Sequence, residues 1–199
     1  RQRQMCIRDS HPRARQDAAG CRAGRRRWGG DRSTGARLTA AVAPLLVLAV
    51  GNPSRGDDAL GPMLAQRLDD AGLPGVEILI EYQLQIEHAL DLQERELVIF
   101  VDAGTGATPA PFELRAPAAC AEFLHTTHAL SPEAVLATYE RVVGPRPPRA
   151  LVLCVRGESF ELGEPLSAAA RQHLEQAWLR LRQLCDPASP EQVSAQVFR

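Results

Sequence analysis

Three polar segments stand where apolar runs stop. Asp57 and Asp58 close GNPSRGDD, directly after LLVLAV (Leu45 to Val50). Asp102 ends the run LVIFVDAG (Leu97 to Gly104), while His125 and His128 lie in LHTTHALSP, just ahead of a helix-like segment beginning at Ser131. One or two carboxylates plus an imidazole, brought together from separate loops, are oxygen and nitrogen ligands suited to a borderline divalent metal. Each residue also has a plainer role. Asp57 or Asp58 suits a helix N-terminus as cap and dipole partner, worth about 1 kcal/mol. Asp102 before Ala-Gly suits a turn, and the two histidines suit a solvated loop. No local ligand motif such as HExxH is present. The case for a site is the coincidence of all three at strand ends.

For these residues to converge, the runs that carry them must be neighbouring strands of one sheet. LLVLAV and LVIFVDAG are continuously apolar, as expected of strands buried on both faces. VEILIEY (Val76 to Tyr82) and RALVLCVRG (Arg149 to Gly157) read as two more strands, and PFELRA as an edge strand. Between them lie helical patterns at Asp58 to Ala71, Ile86 to Gln93, Ser131 to Val143 and Ser167 to Leu184. Pro62 is tolerable only in the first turn of its helix. Strands alternating with helices imply right-handed crossovers and an α/β three-layer sandwich, a twisted, mostly parallel sheet flanked by helices. Ligands of such sheets bind outside the carboxyl ends of the strands. Glu81, Gln83, Gln85, Glu87 and His88 are further candidates to line that cleft, with solvated surface as the plain alternative. RGESFELGEPLS, between the last strand and the last helix, reads either as a partner-contacting loop or as a well-capped connection. Ser131 and Ser167 read as N-caps, and Cys120, Cys154 and Cys185 as structural thiols.

Composition narrows the chemistry. All 23 basic residues are Arg, against 24 acidic residues in 199. Without Lys there is no Walker-A phosphate loop and no Schiff-base nucleophile. Five scattered Cys with no CxxC suggest neither a disulfide framework nor a Cys-rich zinc site, and fit a reducing, cytoplasmic compartment. Residues 1–40 hold eleven Arg and three Asp, a net of +8, which leaves twelve Arg and 21 acids, a net of −9, in residues 41–199. So acidic a body is a poor nucleic-acid binder. Residues 1–40, rich in Arg, Gly, Asp and Ser with few aliphatics, are expected to be a disordered or extraneous segment ahead of a domain at 41–199. Arg25 to Arg27 before LTAAVAPLLVLAV resemble a twin-Arg export signal, but that run passes straight into GNPSRGDD, and cleavage there would remove the first core strand.

The acidic pair and later Asp resemble the layout of response-regulator receivers, which carry a Lys at the end of their last strand; here that strand ends in Cys154, Val155, Arg156 and Gly157. A closer match covers most of the body. VLAVGNPSRGDDALGP, EYQLQIEHALDL, VIFVDAGTG, TTHALSPEAVL and RGESFELGEPLS, in that order, resemble the hydrogenase maturation proteases, endopeptidases that process nickel–iron hydrogenase large subunits. The resemblance implies a twisted, mostly parallel sheet between helices, and removal of a C-terminal extension from the large-subunit precursor after nickel insertion. It puts the family's three metal-contacting positions on Asp58, Asp102 and His128, as both metal ligands and catalytic residues. It departs from the family pattern at Ala59, where Gly commonly follows the acidic pair. The divalent metal it implies is nickel carried by the substrate. The partner it implies is the large-subunit precursor, processed by a cytoplasmic monomer with no nucleic-acid or membrane partner. Two other classes stay open at this level. One is a magnesium-dependent receiver-like or phosphoryl-transfer domain using Asp57, Asp58 and Asp102. The other is a non-catalytic scaffold that escorts the large subunit.

Overall fold

A computed structural model describes residues 42–117 and 130–186. Five strands form one sheet: β1 (Leu45–Val50), β2 (Val76–Glu81), β3 (Leu97–Gly104), β4 (Phe112–Arg115) and β5 (Arg149–Arg156). Their spatial order is β2-β1-β3-β5-β4. β1, β2, β3 and β5 run parallel, and β4 is an antiparallel edge. The expected three-layer α/β architecture is what forms.

Side-chain alternation divides the core between the two faces of the sheet. Val47, Ala49, Ile99, Val101, Leu151 and Leu153 face α1 (Leu60–Ala71) and α4 (Ala168–Leu184), meeting Leu64, Leu68, Leu174 and Leu181. Across that helix pair the Arg67 guanidinium sits 4.6 Å above the Trp178 ring and pairs with Glu175 at 2.8 Å. Leu46, Leu48, Val98, Phe100 and Val152 face the other way, toward α2 (His88–Asp91) and α3 (Pro132–Val142). Ser131 and Ser167 are the expected caps, accepting from the Ala134 and Ala170 N–H groups. Two expectations shift in detail. The helix anticipated from Asp58 opens with a 3-10 turn, Gly56–Ala59, and becomes α-helical only at Leu60. The helix anticipated over Ile86 to Gln93 shrinks to the single turn of α2, too short to propagate by itself. No described helix is long and apolar enough to cross a membrane.

From β1 the chain crosses by α1 to β2 on one side, whereas β3 lies on the other side of β1. Connections leaving the carboxyl ends of β1 and β3 therefore separate, and the crevice between them is the natural ligand position of an open parallel sheet.

Candidate active site

That crevice is a cavity of about 440 Å³. Its wall combines the end of β1 and the turn beyond it (Val50, Gly51, Asp58), the end of β2 (Tyr82, Gln83, Leu84), the end of β3 (Asp102, Ala103) and the start of α3 (Leu130, Ser131, Pro132). Asp58 and Asp102, expected together from their strand ends, do share it.

Asp58 is held by a tight turn. Asn52 Oδ1 accepts the Ser54 N–H at 2.9 Å, an Asx turn, and the Asn52 N–H donates to Asp58 Oδ2 at 2.9 Å. The turn closes only because residue 51 is Gly: its φ is +141°, and a Cβ there would collide with the Asp58 carbonyl oxygen. Asp102 is placed by strand parity, on the same face as Val98 and Phe100. Its Oδ1 accepts the Ala103 N–H at 2.7 Å. Among the described residues no ion pair reaches either carboxylate. Burial, with a further push from the Asp58 charge, raises the Asp102 carboxyl to about 7. Two carboxylates in one partly enclosed cavity, one of them reluctant to ionise, make a donor set that fits a divalent cation.

Asp57 does something else entirely. Its side chain is wholly buried and accepts four hydrogen bonds: from the N–H groups of Glu158 (2.7 Å), Ser159 (3.0 Å) and Ser167 (2.7 Å), and from the Ser167 hydroxyl (2.8 Å). Burial by itself would push this carboxyl up, but the donors outweigh it and hold it below the usual carboxylate range. A magnesium site of receiver type needs this carboxylate free, and here it is saturated. The RGESFELGEPLS segment is thereby a stitched connection: the Gly56 N–H reaches Glu164 O, the Asp57 N–H reaches Ser159 O, and the Gly163 N–H reaches Ser54 O.

His128, and with it His125 and Cys120, lies outside the described residues. Leu130, two residues after His128 in the chain, lines the cavity. Of the further cleft candidates, Gln83 lines the cavity, whereas His88 is buried and its Nδ1 accepts the Gln85 N–H at 2.9 Å. Glu81, Gln85 and Glu87 are not part of the wall. Tyr82, 73% exposed, is a cavity residue that sequence reasoning did not single out beyond ending a strand. Its position one residue past β2 was the available signal. Cys154 faces Asp102 across the β3–β5 register, with its sulfur 3.6 Å from the Thr108 hydroxyl; chiefly burial raises its thiol, and burial pushes Cys185 up to about 12. Neither is an activated nucleophile.

Neither a protein-family model nor a curated protein sequence matches the chain. Solved structures do. The NiFe hydrogenase maturation protease HycI from Thermococcus kodakarensis superposes with a TM-score of 0.58 over 72% of this chain and 92% of its own, at 21% identity. The fold is that of the hydrogenase maturation proteases. The hydrogenase maturating endopeptidase HybD from Escherichia coli shares this maturation-protease fold with a TM-score of 0.54, covering 69% of this chain and 88% of its own at 24% identity. An endopeptidase from Escherichia coli in solution gives 0.52, over 69% and 88%, at 25% identity. In this maturation-protease fold the cavity between the ends of β1 and β3 is where Asp58 and Asp102 meet.

Proposed function

We propose that this protein is an endopeptidase of hydrogenase maturation, removing the C-terminal extension of a nickel–iron hydrogenase large-subunit precursor once nickel is in place. The observation that carries this reading is the pair Asp58 and Asp102, unpaired by any described cation, sharing one cavity in a maturation-protease fold. In this reading the protein works as a monomer in the cytoplasm, and the nickel belongs to the substrate.

Asp58, Asp102 and His128 would hold that nickel. When bound, the ion supplies positive charge that polarises the scissile carbonyl or acidifies a water. The chain's own contribution is orientation and charge. Asp58 is fixed by the Asn52 N–H, so its other oxygen points where the turn directs it. Asp102, whose carboxyl is raised to about 7 by burial and the Asp58 charge, would give up its proton on binding the cation and serve as a ligand. Tyr82, Leu84 and Leu130 line the cavity.

Incubation of the full chain with nickel-loaded and nickel-free precursor, followed by mass measurement, tests the reading. Loss of the extension only from the nickel-loaded form is expected. Equal cleavage of both forms reduces the activity to ordinary sequence-directed proteolysis, and no cleavage of either removes the function.

A further inference from the structure

The two edges of the sheet are finished differently. β4 is four residues long, lies between Pro111 and Pro117, and carries Arg115 in an ion pair with Glu133. Shortness, proline and charge are the devices by which an edge avoids pairing with other chains. β2 is six residues long with an unbroken register to β1, three consecutive aliphatics (Ile78, Leu79, Ile80) at its centre and no proline.

Its outward hydrogen-bonding groups follow from the ladder. The carbonyls of Gly75 and Glu81 accept from Leu45 and Gly51, on the β1 side. Alternation then turns the N–H and C=O groups of Val76, Ile78 and Ile80 outward, and among the described residues no strand meets them. Exposed apolar side chains lie along this strand and in the segment after it. Ile80 is 43% exposed, Tyr82 73%, Ile86 59% and Leu90 53%, and Tyr82 is itself part of the cavity wall. From Ile80 to Tyr82 is two residues, about 7 Å of extended chain. The surroundings are acidic: residues 76–96 carry six carboxylates and one Arg, and that Arg95 is committed to Glu77 and the Ala43 carbonyl.

We propose that the outer edge of β2 is a docking strand for an extended, basic segment of a partner polypeptide, which adds to the sheet through Val76, Ile78 and Ile80 and feeds its end into the cavity of Asp58 and Asp102. The proposal rests on the maturation reading for the identity of that polypeptide, the precursor's C-terminal extension. Main-chain pairing gives such a segment affinity and register, and alternate side chains give it selectivity. An extended segment also presents its peptide bonds one at a time to the cavity at the end of the strand.

The test uses the full chain and a fluorescein-labelled twelve-residue peptide of alternating Arg and Val. Saturable binding is expected, at least tenfold weaker to an alternating Glu and Val peptide, and at least tenfold weaker to the Ile80→Pro variant. That substitution removes one outward N–H without touching the ladder to β1. Should the variant misfold, the wild-type chain answers the question with N-methylated peptides. Methylating one alternate set of peptide nitrogens should abolish binding, and methylating the other should leave it within threefold. Equal effects of the two sets, unchanged binding to Ile80→Pro, or equal binding of the acidic peptide each overturn the proposal. Binding that appears only after deletion of residues 1–40 also overturns it, because the chain's own Arg-rich segment is then the occupant. Precursor processing, followed in parallel, separates this proposal from the maturation reading. A bound peptide with an uncleaved precursor leaves the docking edge and removes the protease. A precursor cleaved with the same KM by Ile80→Pro does the reverse.

Discussion

Asp57 and Asp58 are consecutive, chemically identical, and opposite in circumstance. Around Asp57 four donors gather: three backbone N–H groups and a hydroxyl converge on it from residues 101 to 110 positions away. Around Asp58 there is one N–H donor, an open cavity, and a second carboxylate. The 3-10 turn sends one side chain into the body and the next toward solvent. A buried, fully bonded anion ties elements together, whereas a half-satisfied carboxylate beside another keeps lone pairs available for a ligand.

The sharpest way to break this contrast is activity. Asp58→Asn, Asp102→Asn and His128→Ala should each lower processing of nickel-loaded precursor by about 10³-fold, a loss of about 4 kcal/mol in transition-state stabilisation, measured by the mass of the precursor over time. Near-normal processing by any one removes that residue from the site.

Stability should divide the pair in the other direction. Asp57→Ala removes the common acceptor of three backbone N–H groups and a hydroxyl and should destabilise the fold by about 3–5 kcal/mol. A fall in Tm of about 10 °C is expected in a domain of this size. Because the Asp57 carboxyl is held low, its contribution is present above the unfolded value of 3.8 and is lost as acid protonates the folded chain. A melt of Asp57→Ala indistinguishable from wild type would show that the connection it anchors is held by other means.

Divalent cation should raise the stability of the wild-type chain by about 2.7 kcal/mol at a hundred times its dissociation constant. Asp58→Asn should lose that gain in melts with and without nickel or zinc. A retained shift would put the ion elsewhere.

The smallest effect concerns the chain in metal-free solution. With the Asp102 carboxyl raised to about 7, the folded chain keeps a proton that the unfolded chain has released from about pH 4 upward. Stability conferred by that proton is full below 3.8 and falls as pH climbs to about 7. Asp102→Asn should therefore raise metal-free stability by about 2 kcal/mol at pH 8 and change it little at pH 3.5. Denaturant midpoints at the two pH values check this, and a pH-independent difference would remove the buried, raised Asp102 carboxyl from the account.

Much of the frame was legible in local pattern. LLVLAV and LVIFVDAG are strands at the residues read from their apolar runs, because burial on both faces leaves no room for a polar residue until the strand ends. That is also why the acidic pair and Asp102 were legible as residues of neighbouring strand ends, with the family resemblance selecting Asp58 of the pair. The part that stayed hidden is set by contacts distant in sequence. Asp57 reads as an ordinary N-cap locally, and its donors at Glu158, Ser159 and Ser167 leave no mark in the residues beside it. Likewise the openness of β2 depends on which strands flank it. The same hydrophobic run VEILIE would be silent in the middle of a sheet.

The clasp around Asp57 also imposes an order of events during synthesis. Asp58 and Asp102 leave the ribosome well before Ser159 and Ser167, the groups that pin the turn on which Asp58 rides. A growing chain thus holds both cavity carboxylates early, while the fastening of their mount waits for the segment leading into α4. The same dependence makes a clip anywhere between Glu158 and Ser167 a means of disarming the protein with both cavity carboxylates still in the chain.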